Sequence, residues 1–350
     1  MNDTDISCVN IGVVGAGSWG TAIAHLLASK GFSPALWAYE KELCLQIEEN
    51  HENPLYLPGI KLAPGISVSN DLEDVVSGKS IVVMVVPSHL MREVGGRAVK
   101  HLSGDTILVS ASKGIENNTH LTMSGVLAEV TGDSNMDRIA VLSGPSFARE
   151  VASNLPAVVA VAAKLQDVAL YLQKVFAAPL FRVYTNNDPI GVEIGGAVKN
   201  VIAIASGICD GLGLGLSARA AMITRGLAEM RRMGMALGAD PHTFAGLAGV
   251  GDLILTCTGS LSRNYTVGKR LGEGEKIDDI LSGMRMVAEG VKTAKSVFNL
   301  SNKVGAEMPI CHEVYRILYE GMNPRDAVFR LMTRALKQEI DEEVTDHHNS

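Results

Sequence analysis

The sequence lacks any uninterrupted apolar run of about 18 residues, the length that a membrane-spanning helix requires. Its first ten residues, MNDTDISCVN, hold two aspartates and no basic residue, unlike the basic-then-apolar pattern of an export signal. The cysteines, at positions 8, 44, 209, 257 and 311, are odd in number and form no C-x-x-C pair, so they fit neither a disulfide framework nor a zinc ribbon. The nine histidines show no metal-ligand spacing. We therefore expect a cytoplasmic protein without a metal and without integral membrane association.

Long basic runs are also missing. The chain has 31 Lys and Arg against 38 Asp and Glu, a net charge of −7, which argues against nucleic acid as a partner. Charged residues make up 20% and hydrophobic residues 47% of the chain, as in ordinary globular proteins. At roughly 150 residues per domain, the length of 350 residues predicts about two domains.

Short β-branched runs alternate with helical stretches over the first 190 residues. The predicted strands are 9–14, 35–38, 81–86, 107–109, 139–142, 157–162 and 182–184. Strands separated by helices are typical of parallel βαβ units. We therefore predict an α/β domain with a doubly wound sheet over residues 1–190.

From residue 191 the pattern changes, because apolar positions of 3.6-residue period replace the β-branched runs. The predicted helices are 191–206, 218–237, 277–284, 288–304, 310–319 and 324–338. Residues 191–340 should form an all-α second domain, with Asn323 capping the last helix and Pro324 beginning it. Residues 341–350 have no core-forming pattern and are predicted to be a disordered tail. Spacings along one helix also allow ion pairs among Arg225, Glu229, Arg231 and Arg232.

A glycine-rich turn, Gly15-Ala16-Gly17-Ser18-Trp19-Gly20, joins the first predicted strand to a helix. In a dinucleotide site, Gly15 permits the tight turn, Gly17 admits a pyrophosphate close to the backbone, and Gly20 lets the helix pack on the strand. The amide groups at the start of the helix would then face the phosphates. Because the turn has the required strand-to-helix context, it predicts a dinucleotide-binding domain.

The choice between NAD and NADP stays open at the end of the second strand. Glu40 lies twenty positions after Gly20, where an acidic residue binds the ribose 2′-hydroxyl of NAD. The adjacent Lys41 could instead neutralise a 2′-phosphate, and a solvated pair of charges is equally compatible with this pattern.

Three loops follow later strands, at the edge where open α/β sheets bind ligands. They are Val85-Val86-Pro87-Ser88-His89, Ser110-Ala111-Ser112-Lys113-Gly114 and Ser143-Gly144-Pro145-Ser146-Phe147-Ala148. The first could cover the cofactor or be a turn capped by Ser88. Lys113 could reach a phosphate or a substrate oxygen, or remain a surface lysine. The third loop offers small residues and exposed amides to a small substrate.

Lys199 lies in the apolar segment VEIGGAVKNVIAIASGI, where Gly195 leaves room one turn earlier. Burial in such surroundings lowers a lysine pKa and suits the amine to general acid–base work. A side chain that snorkels to the surface is the alternative. Asp252 could pair with Lys199 and hold its ammonium group.

The segment Ser262-Arg263-Asn264 offers a second set of polar groups. Arg263 supplies a planar fork for a phosphate, to which Ser262 and Asn264 can add hydrogen bonds. The same three residues would also serve as a polar helix cap, so the segment alone decides nothing.

Taken together, these segments resemble the bacterial NAD(P)-dependent glycerol-3-phosphate dehydrogenases. The resemblance rests on GAGSWGTA near the start, VPSH (86–89), SKG (112–114), SGPSFA (143–148), GGAVKNVIAI (195–204), TRGLAEM (224–230), AGVGDLILTCTGSLSRN (248–264) and VAEG (287–290). These segments occur in order from about residue 9 to 338 and so involve both predicted domains.

The resemblance implies a Rossmann-like first domain, NAD or NADP as cofactor, and interconversion of dihydroxyacetone phosphate and sn-glycerol 3-phosphate for phospholipid synthesis. It implies Lys199 as the proton acceptor. The implied substrate residues are Lys113, Gly144, Ser146, Lys199, Asp252, Ser262, Arg263 and Asn264. Besides Gly15, Gly17 and Gly20 of the turn, the implied cofactor residues are Ser18, Trp19, Tyr39, Lys113, Ala148, Arg263, Val287 and Glu289.

Tyr39 departs from the family pattern, since relatives often carry a more polar or basic residue there. A tyrosine can stack on adenine but offers no charge to a 2′-phosphate, which puts a preference for NADP in doubt. We also expect a homodimer, because a helical second domain offers apolar surface. Two other functions fit part of the sequence: a dehydrogenase of 2- or 3-hydroxy acids, and a sensor or scaffold that binds NAD(H) without turnover.

Overall fold

The computed structural model describes residues 9–132, 136–284 and 287–339, so the predicted tail at 341–350 lies outside the described residues. The first half of the chain builds one sheet of eight strands. The strands are β1 (Ile11–Val14), β2 (Ala35–Trp37), β3 (Ser67–Ser69), β4 (Ile81–Met84), β5 (Ile107–Ser110), β6 (Ile139–Ser143), β7 (Ala157–Ala163) and β8 (Phe181–Asn186).

The spatial order of the strands is β3-β2-β1-β4-β5-β6-β7-β8. Ile11 and Val13 pack into the core on one face of the sheet, while Val14 packs into the core on the other. Burial on both faces explains why β1 is a continuous apolar run rather than an alternating one. From β1 the chain adds β2 and β3 on one side and then continues from β4 on the other, so the strand order reverses between the paired neighbours β1 and β4. In open α/β sheets, ligands bind at such a switch point.

Two features of the sheet differ from the sequence prediction. Strand β3 was not predicted, because Ser67–Ser69 is polar and lies at the edge of the sheet. Strands β6 and β7 pair antiparallel, whereas the prediction was of parallel units throughout. A parallel pair needs a long crossover, and the link between β6 and β7 contains only a five-residue helix.

Within the described residues, seven α-helices accompany these strands, and they cover both faces of the sheet. They are α1 (Ser18–Ser29), α2 (Lys41–Asn50), α3 (Leu72–Val76), α4 (Met91–Ala98), α5 (Met123–Thr131), α6 (Ala148–Ala152) and α7 (Gln166–Phe176).

The rest of the described chain is helical, as predicted. Its helices are α8 (Pro189–Gly211), α9 (Gly215–Ala236), α10 (Asp252–Thr258), α11 (Arg263–Gly272), α12 (Ile277–Ser282), α13 (Glu289–Val304), α14 (Pro309–Tyr319) and α15 (Pro324–Met332). Asn323 caps α15, whose first residue is Pro324, as its sequence predicted. Because β8 ends at Asn186 and α8 begins at Pro189, we propose that the two predicted domains, 1–190 and 191–340, meet there.

Helix α8 is the central element of this helical part. The Asp188 side chain caps it by accepting a hydrogen bond from the Gly191 amide, and its residues from Gly191 to Cys209 are all buried. Helices α9, α10, α11 and α13 all pack against it. By length and composition α8 could cross a membrane, but its most apolar window is entirely buried inside the protein. An apolar helix of this kind is what the core of a large helical assembly requires.

Glu229 on helix α9 has partners beyond its own helix face, where the sequence suggested ion pairs. Its buried carboxylate accepts hydrogen bonds from the backbone amides of Ile310 (2.6 Å) and Cys311 (3.1 Å). These are the first amides of α14, which have no partner within their own helix. Glu229 therefore caps a helix distant in sequence. Burial raises the pKa of its carboxyl to about 7, while the charge of Arg232 on its own helix acts in the opposite direction.

Candidate active site

The glycine-rich turn lies at the carboxyl end of β1, against the end of β4. Gly15 has φ +119°, and a Cβ there would lie 2.8 Å from the Val85 carbonyl oxygen. A Cβ on Gly20 would lie 1.9 Å from the Gly15 carbonyl oxygen, whereas Gly17 has open space around it. Gly15 and Gly20 are thus required by the packing of turn, strand and helix, and Gly17 leaves access to the backbone.

Helix α1 begins in this turn with Gly17 at its N-cap position and without a side-chain cap. The dipole of the helix favours negative charge at this end, as at other helix N-termini that bind anions. The open space over Gly17 and the uncapped helix fit the pyrophosphate of a dinucleotide.

A cavity of about 680 Å³ extends from this turn to the helices of the second half of the chain. Most of the predicted site residues line it: Gly15, Gly17, Ser18, Trp19, Tyr39, Lys113, Ser146, Ala148, Lys199, Ser262, Arg263, Asn264, Val287 and Glu289. Its size and its mixture of apolar and polar lining are typical of cofactor sites. The structure thus brings together residues that are far apart in the sequence.

Gly20, Gly144 and Asp252 do not line the cavity but lie behind its wall. Gly144 has φ +147°, and a Cβ there would lie 2.8 Å from Val159 Cα. Its carbonyl oxygen accepts a 3.1 Å hydrogen bond from the Ser146 hydroxyl and a longer one, at 3.5 Å, from Lys113 Nζ. Gly144 and Asp252 therefore contact the cavity through the side chains bound to them, Lys113 for both and Ser146 for Gly144.

Two lysines share one carboxylate at the inner end of the cavity. Lys199 Nζ donates to Asp252 Oδ1 at 2.5 Å and to the Thr256 hydroxyl at 2.9 Å. Lys113 Nζ donates to the other oxygen, Asp252 Oδ2, at 2.7 Å. The side chains of Lys199 and Asp252 are 6% and 2% exposed, against 20% for Lys113. The expected pairing of Asp252 with Lys199 is confirmed, and Lys199 is buried rather than snorkelling.

The surroundings set the protonation of this cluster. Burial lowers the pKa of Lys199 to about 7, helped by the charge of Lys113, while Asp252 acts in the opposite direction. Burial acts to raise the pKa of Asp252, but the two ammonium groups lower it overall. At neutral pH the carboxylate is therefore ionised, and the Lys199 amine can gain or lose a proton.

Two glycines let α8 approach the rest of the cluster closely. A Cβ on Gly195 would lie 2.3 Å from the Ala248 carbonyl oxygen, in the segment that leads to Asp252. A Cβ on Gly196 would lie 2.9 Å from Ser143 Oγ and 3.5 Å from Lys113 Cγ. The room beside Gly195 is therefore filled by backbone, and this close contact brings Asp252 to Lys199.

The segment Ser262-Arg263-Asn264 forms the start of α11. The Ser262 hydroxyl caps the helix by accepting a hydrogen bond from the Tyr265 amide. The same three residues also line the cavity, so the segment is both a helix cap and part of the cavity wall. Asn264 donates from Nδ2 to Asn200 Oδ1 at 3.0 Å and accepts from the Gly290 amide at 2.9 Å. Much of the Asn264 amide is thus engaged with protein groups.

Glu289, the first residue of α13, is held by the loop after β4. The Ser88 hydroxyl donates to Glu289 Oε2 at 2.6 Å, and the Ser88 amide donates to Oε1 at 3.3 Å. A carboxylate at a helix N-terminus is favoured by the helix dipole. Ser88 thus links the sheet to the helical part beside the cavity.

Several cavity residues were missed by sequence reasoning: Tyr56, Asn200 and Thr256 line the cavity. Tyr56 lies in no motif, whereas Asn200 and Thr256 lie within the segments 195–204 and 248–264 but were not singled out there. Thr256 could have been found, because it lies one helical turn after Asp252 in α10 and so shares its face. Among the residues that the structure describes, no group of three or more His, Cys, Asp or Glu side chains could hold a metal ion.

Comparisons with known proteins agree with this arrangement. Residues 10–169 match the family described as NAD-dependent glycerol-3-phosphate dehydrogenase N-terminus, and residues 188–329 match the corresponding C-terminus family. The chain is 54% identical over 333 residues to the glycerol-3-phosphate dehydrogenase [NAD(P)+] of Syntrophotalea carbinolica, covering 95% of this chain and 100% of the relative. It is 56% identical over 329 residues to the enzyme of the same name from Geobacter sulfurreducens, covering 94% and 98%.

A solved structure shows the same fold. The crystal structure of glycerol-3-phosphate dehydrogenase from Coxiella burnetii superposes with a TM-score of 0.89 at 40% sequence identity. The superposition covers 93% of this chain and 99% of the other. Both halves of the described chain are therefore arranged as in that structure.

Proposed function

Because the chain belongs to the NAD-dependent glycerol-3-phosphate dehydrogenase family, we propose that it interconverts sn-glycerol 3-phosphate and dihydroxyacetone phosphate with Lys199 as the general base. As a member of that family it is an NAD(P)-dependent oxidoreductase that acts on a CH–OH group. The observation that carries the catalytic proposal is the buried Lys199 amine at the cavity wall, with its pKa lowered to about 7.

Oxidation of a secondary alcohol requires a base for the hydroxyl proton. When the substrate C2 hydrogen leaves with its electron pair, the C2–O bond becomes a carbonyl and the hydroxyl proton passes to neutral Lys199 Nζ. A base whose pKa lies near the working pH is efficient in both directions. Asp252 and Thr256 fix the position of Nζ, so the amine needs no reorganisation before it reacts. The bound nicotinamide supplies the acceptor for the hydride.

Arg263 is proposed to hold the substrate phosphate. Its side chain lines the cavity at the start of α11, whose amides and dipole also favour an anion. Lys113, more exposed than Lys199, faces the same space and adds positive charge. Binding energy from the phosphate, which takes no part in the bond changes, would position C2 for reaction.

The cofactor is proposed to lie along the other end of the cavity. The pyrophosphate would meet the amides of Ser18 and Trp19, and Tyr39 would offer its ring to the adenine. Tyr39 is 75% exposed at the carboxyl end of β2, which leaves its face open to a ligand. Ala148, Val287 and Glu289 would line the remaining part of the site.

We propose that the reaction takes place in the cytoplasm and that the enzyme is a homodimer. We also propose that the reaction runs towards glycerol 3-phosphate, for glycerophospholipid synthesis. The family resemblance supports the direction and the pathway. The cysteine pattern supports a reducing compartment. Exposed apolar side chains such as Leu216, Phe329 and Met332 on the helical part support an association of subunits.

The test is the absorbance of reduced nicotinamide with purified protein and dihydroxyacetone phosphate. Consumption of NADH or NADPH would support the proposal. Activity confined to 3-hydroxyisobutyrate or 6-phosphogluconate would favour a hydroxyacid dehydrogenase. Cofactor binding without turnover of any of these substrates would favour a sensor.

A further inference from the structure

A loop beside the glycine-rich turn is fastened by one buried side chain. Asn53 is fully buried, and its Nδ2 donates to the Ala16 carbonyl oxygen and to the Thr21 hydroxyl, both at 2.8 Å. Its Oδ1 accepts from the Tyr56 amide at 2.9 Å. Asn53 therefore joins the loop rigidly to the turn that is proposed to bind the pyrophosphate.

Tyr56 is the residue that this loop carries into the cavity. Its carbonyl oxygen accepts a 2.6 Å hydrogen bond from the Ser18 hydroxyl, and its half-buried ring packs against the sheet core. Its phenol donates to Glu40 Oε1 at 3.0 Å. Backbone, ring and hydroxyl of Tyr56 are thus all held, and the hydroxyl in turn holds Glu40.

Glu40 occupies the position at which an acidic residue accepts a hydrogen bond from the ribose 2′-hydroxyl in dinucleotide-binding folds. It follows β2 at the N-cap position of α2, yet its side chain does not cap that helix. Glu40 lines the cavity together with Tyr56. Lys41, the cation that could have offset this charge, is exposed and is not part of the cavity lining.

From this arrangement we infer that Tyr56 is a positioning residue for cofactor choice, which holds Glu40 against the adenosine ribose and makes the chain prefer NAD(H) to NADP(H). The inference rests on the proposed function, because it needs the cofactor to lie along the glycine-rich turn. A fixed carboxylate accepts hydrogen bonds from the ribose diol. It repels a 2′-phosphate and, because Tyr56 holds it, cannot easily turn away.

Arg97 is the group that could oppose this preference. It lines the same cavity from α4 and could bind a 2′-phosphate. Glu93 lines the cavity one turn earlier on the same helix, where its charge would offset that of Arg97. We therefore expect the Glu40 carboxylate to decide the preference.

The test measures equilibrium binding of NADH and NADPH without substrate, from the quenching of protein fluorescence. The wild-type Kd for NADPH should exceed that for NADH by about tenfold or more, which corresponds to roughly 1.4 kcal/mol. Glu40→Gln should bring the ratio of the two Kd values close to one. Tyr56→Phe, which keeps the ring and removes only the hydroxyl, should lower the ratio several-fold, mainly by tighter NADPH binding.

A merely structural role of Tyr56 would weaken both cofactors equally and leave the ratio unchanged. Tyr171→Phe, on α7 outside the cavity, is the matched control and should alter neither Kd. The inference is overturned if the wild type binds NADPH as tightly as NADH, or if Tyr56→Phe leaves the ratio at its wild-type value. If Arg97→Gln alone abolishes NADPH binding while Glu40→Gln has no effect, Arg97 sets the preference instead.

The two proposals fail in different ways. If neither cofactor binds, the proposed function itself is wrong. If both bind with equal affinity and dihydroxyacetone phosphate is still reduced, the proposed function stands and only the role of Tyr56 is lost.

Discussion

Lys199 Nζ lies 2.5 Å from Asp252 Oδ1, while the second oxygen of the same carboxylate accepts from Lys113. One negative charge is therefore shared between two ammonium groups inside the protein. Burial is the main cause that lowers the pKa of Lys199 to about 7, and the charge of Lys113 on the same carboxylate adds to it, so the amine is close to losing its proton.

Replacing Lys199 tests the base. Lys199→Met keeps the length and the apolar packing of the side chain but removes the amine, and Asp252 still has Lys113 as partner. We expect kcat to fall by about a hundredfold or more, with NADH binding retained. Steady-state kinetics and fluorescence titration measure the two effects. Lys295→Met, an exposed lysine of α13, is the control, and an unchanged kcat in Lys199→Met would remove Lys199 from this role.

The pH profile should follow the Lys199 amine. Because the pKa of Lys199 is lowered to about 7, kcat/KM for oxidation should rise with pH and level off above that value, where the amine is neutral. Reduction needs the protonated amine, so its rate should fall over the same interval. Asp252→Asn removes the charge that favours the ammonium form and should move both inflections to lower pH. Asp279→Asn, exposed on α12, should not; identical inflections in wild type and Asp252→Asn would contradict the assignment.

Arg263 should act mainly on the substrate phosphate. We expect Arg263→Ala to raise KM for dihydroxyacetone phosphate by about tenfold or more, as for loss of a charge-assisted pair, with a smaller fall in kcat. Unphosphorylated dihydroxyacetone, a poor substrate, should be affected little. The ratio of kcat/KM for the two substrates measures this difference. Equal losses for both would show that Arg263 supports the site in another way.

Gly195 should tolerate no side chain. A Cβ there would lie 2.3 Å from the Ala248 carbonyl oxygen, whereas Gly96, a glycine of α4, has open space. Gly195→Ala should destabilise the protein by about 1–3 kcal/mol through overpacking and lower kcat by displacing Asp252. Gly96→Ala should raise stability by roughly 0.5–1 kcal/mol. Thermal unfolding and steady-state kinetics give Tm and kcat for the two variants. Equal Tm values for Gly195→Ala and Gly96→Ala would refute the packing argument.

Sequence reasoning predicted the parts of the fold in which local pattern and tertiary role coincide. The apolar run of β1 and the cap of α15 are examples. Strand β3 was missed because its polar residues carry no apolar pattern, and β2 is its only strand partner among the described residues. The antiparallel direction of β7 depends on how a short connection closes, which periodicity does not encode.

In the candidate site, too, residues with a local sequence signal could be predicted, and contacts between distant segments could not. Lys199 could be singled out because a charge in an apolar helix is unusual, and the structure places it in the cavity wall. The bond from Tyr56 to Glu40 joins residues sixteen positions apart, and that from Ser88 to Glu289 spans 201 positions. Such pairs are set by packing between distant segments, so no local pattern could have shown them.

The burial of helix α8 should slow the hydrogen exchange of its backbone amides. Every residue from Gly191 to Cys209 is buried, with helices α9, α10, α11 and α13 packed around it. Its amides should therefore exchange only when the helical part unfolds as a whole, while exposed turns exchange through local opening. Lys199 is carried by this slowest-exchanging segment, and Arg263 begins a helix at the edge of the cavity. The proposed base is thus held in place for as long as the helical part stays folded, and we expect any adjustment to the substrate to involve the groups around it.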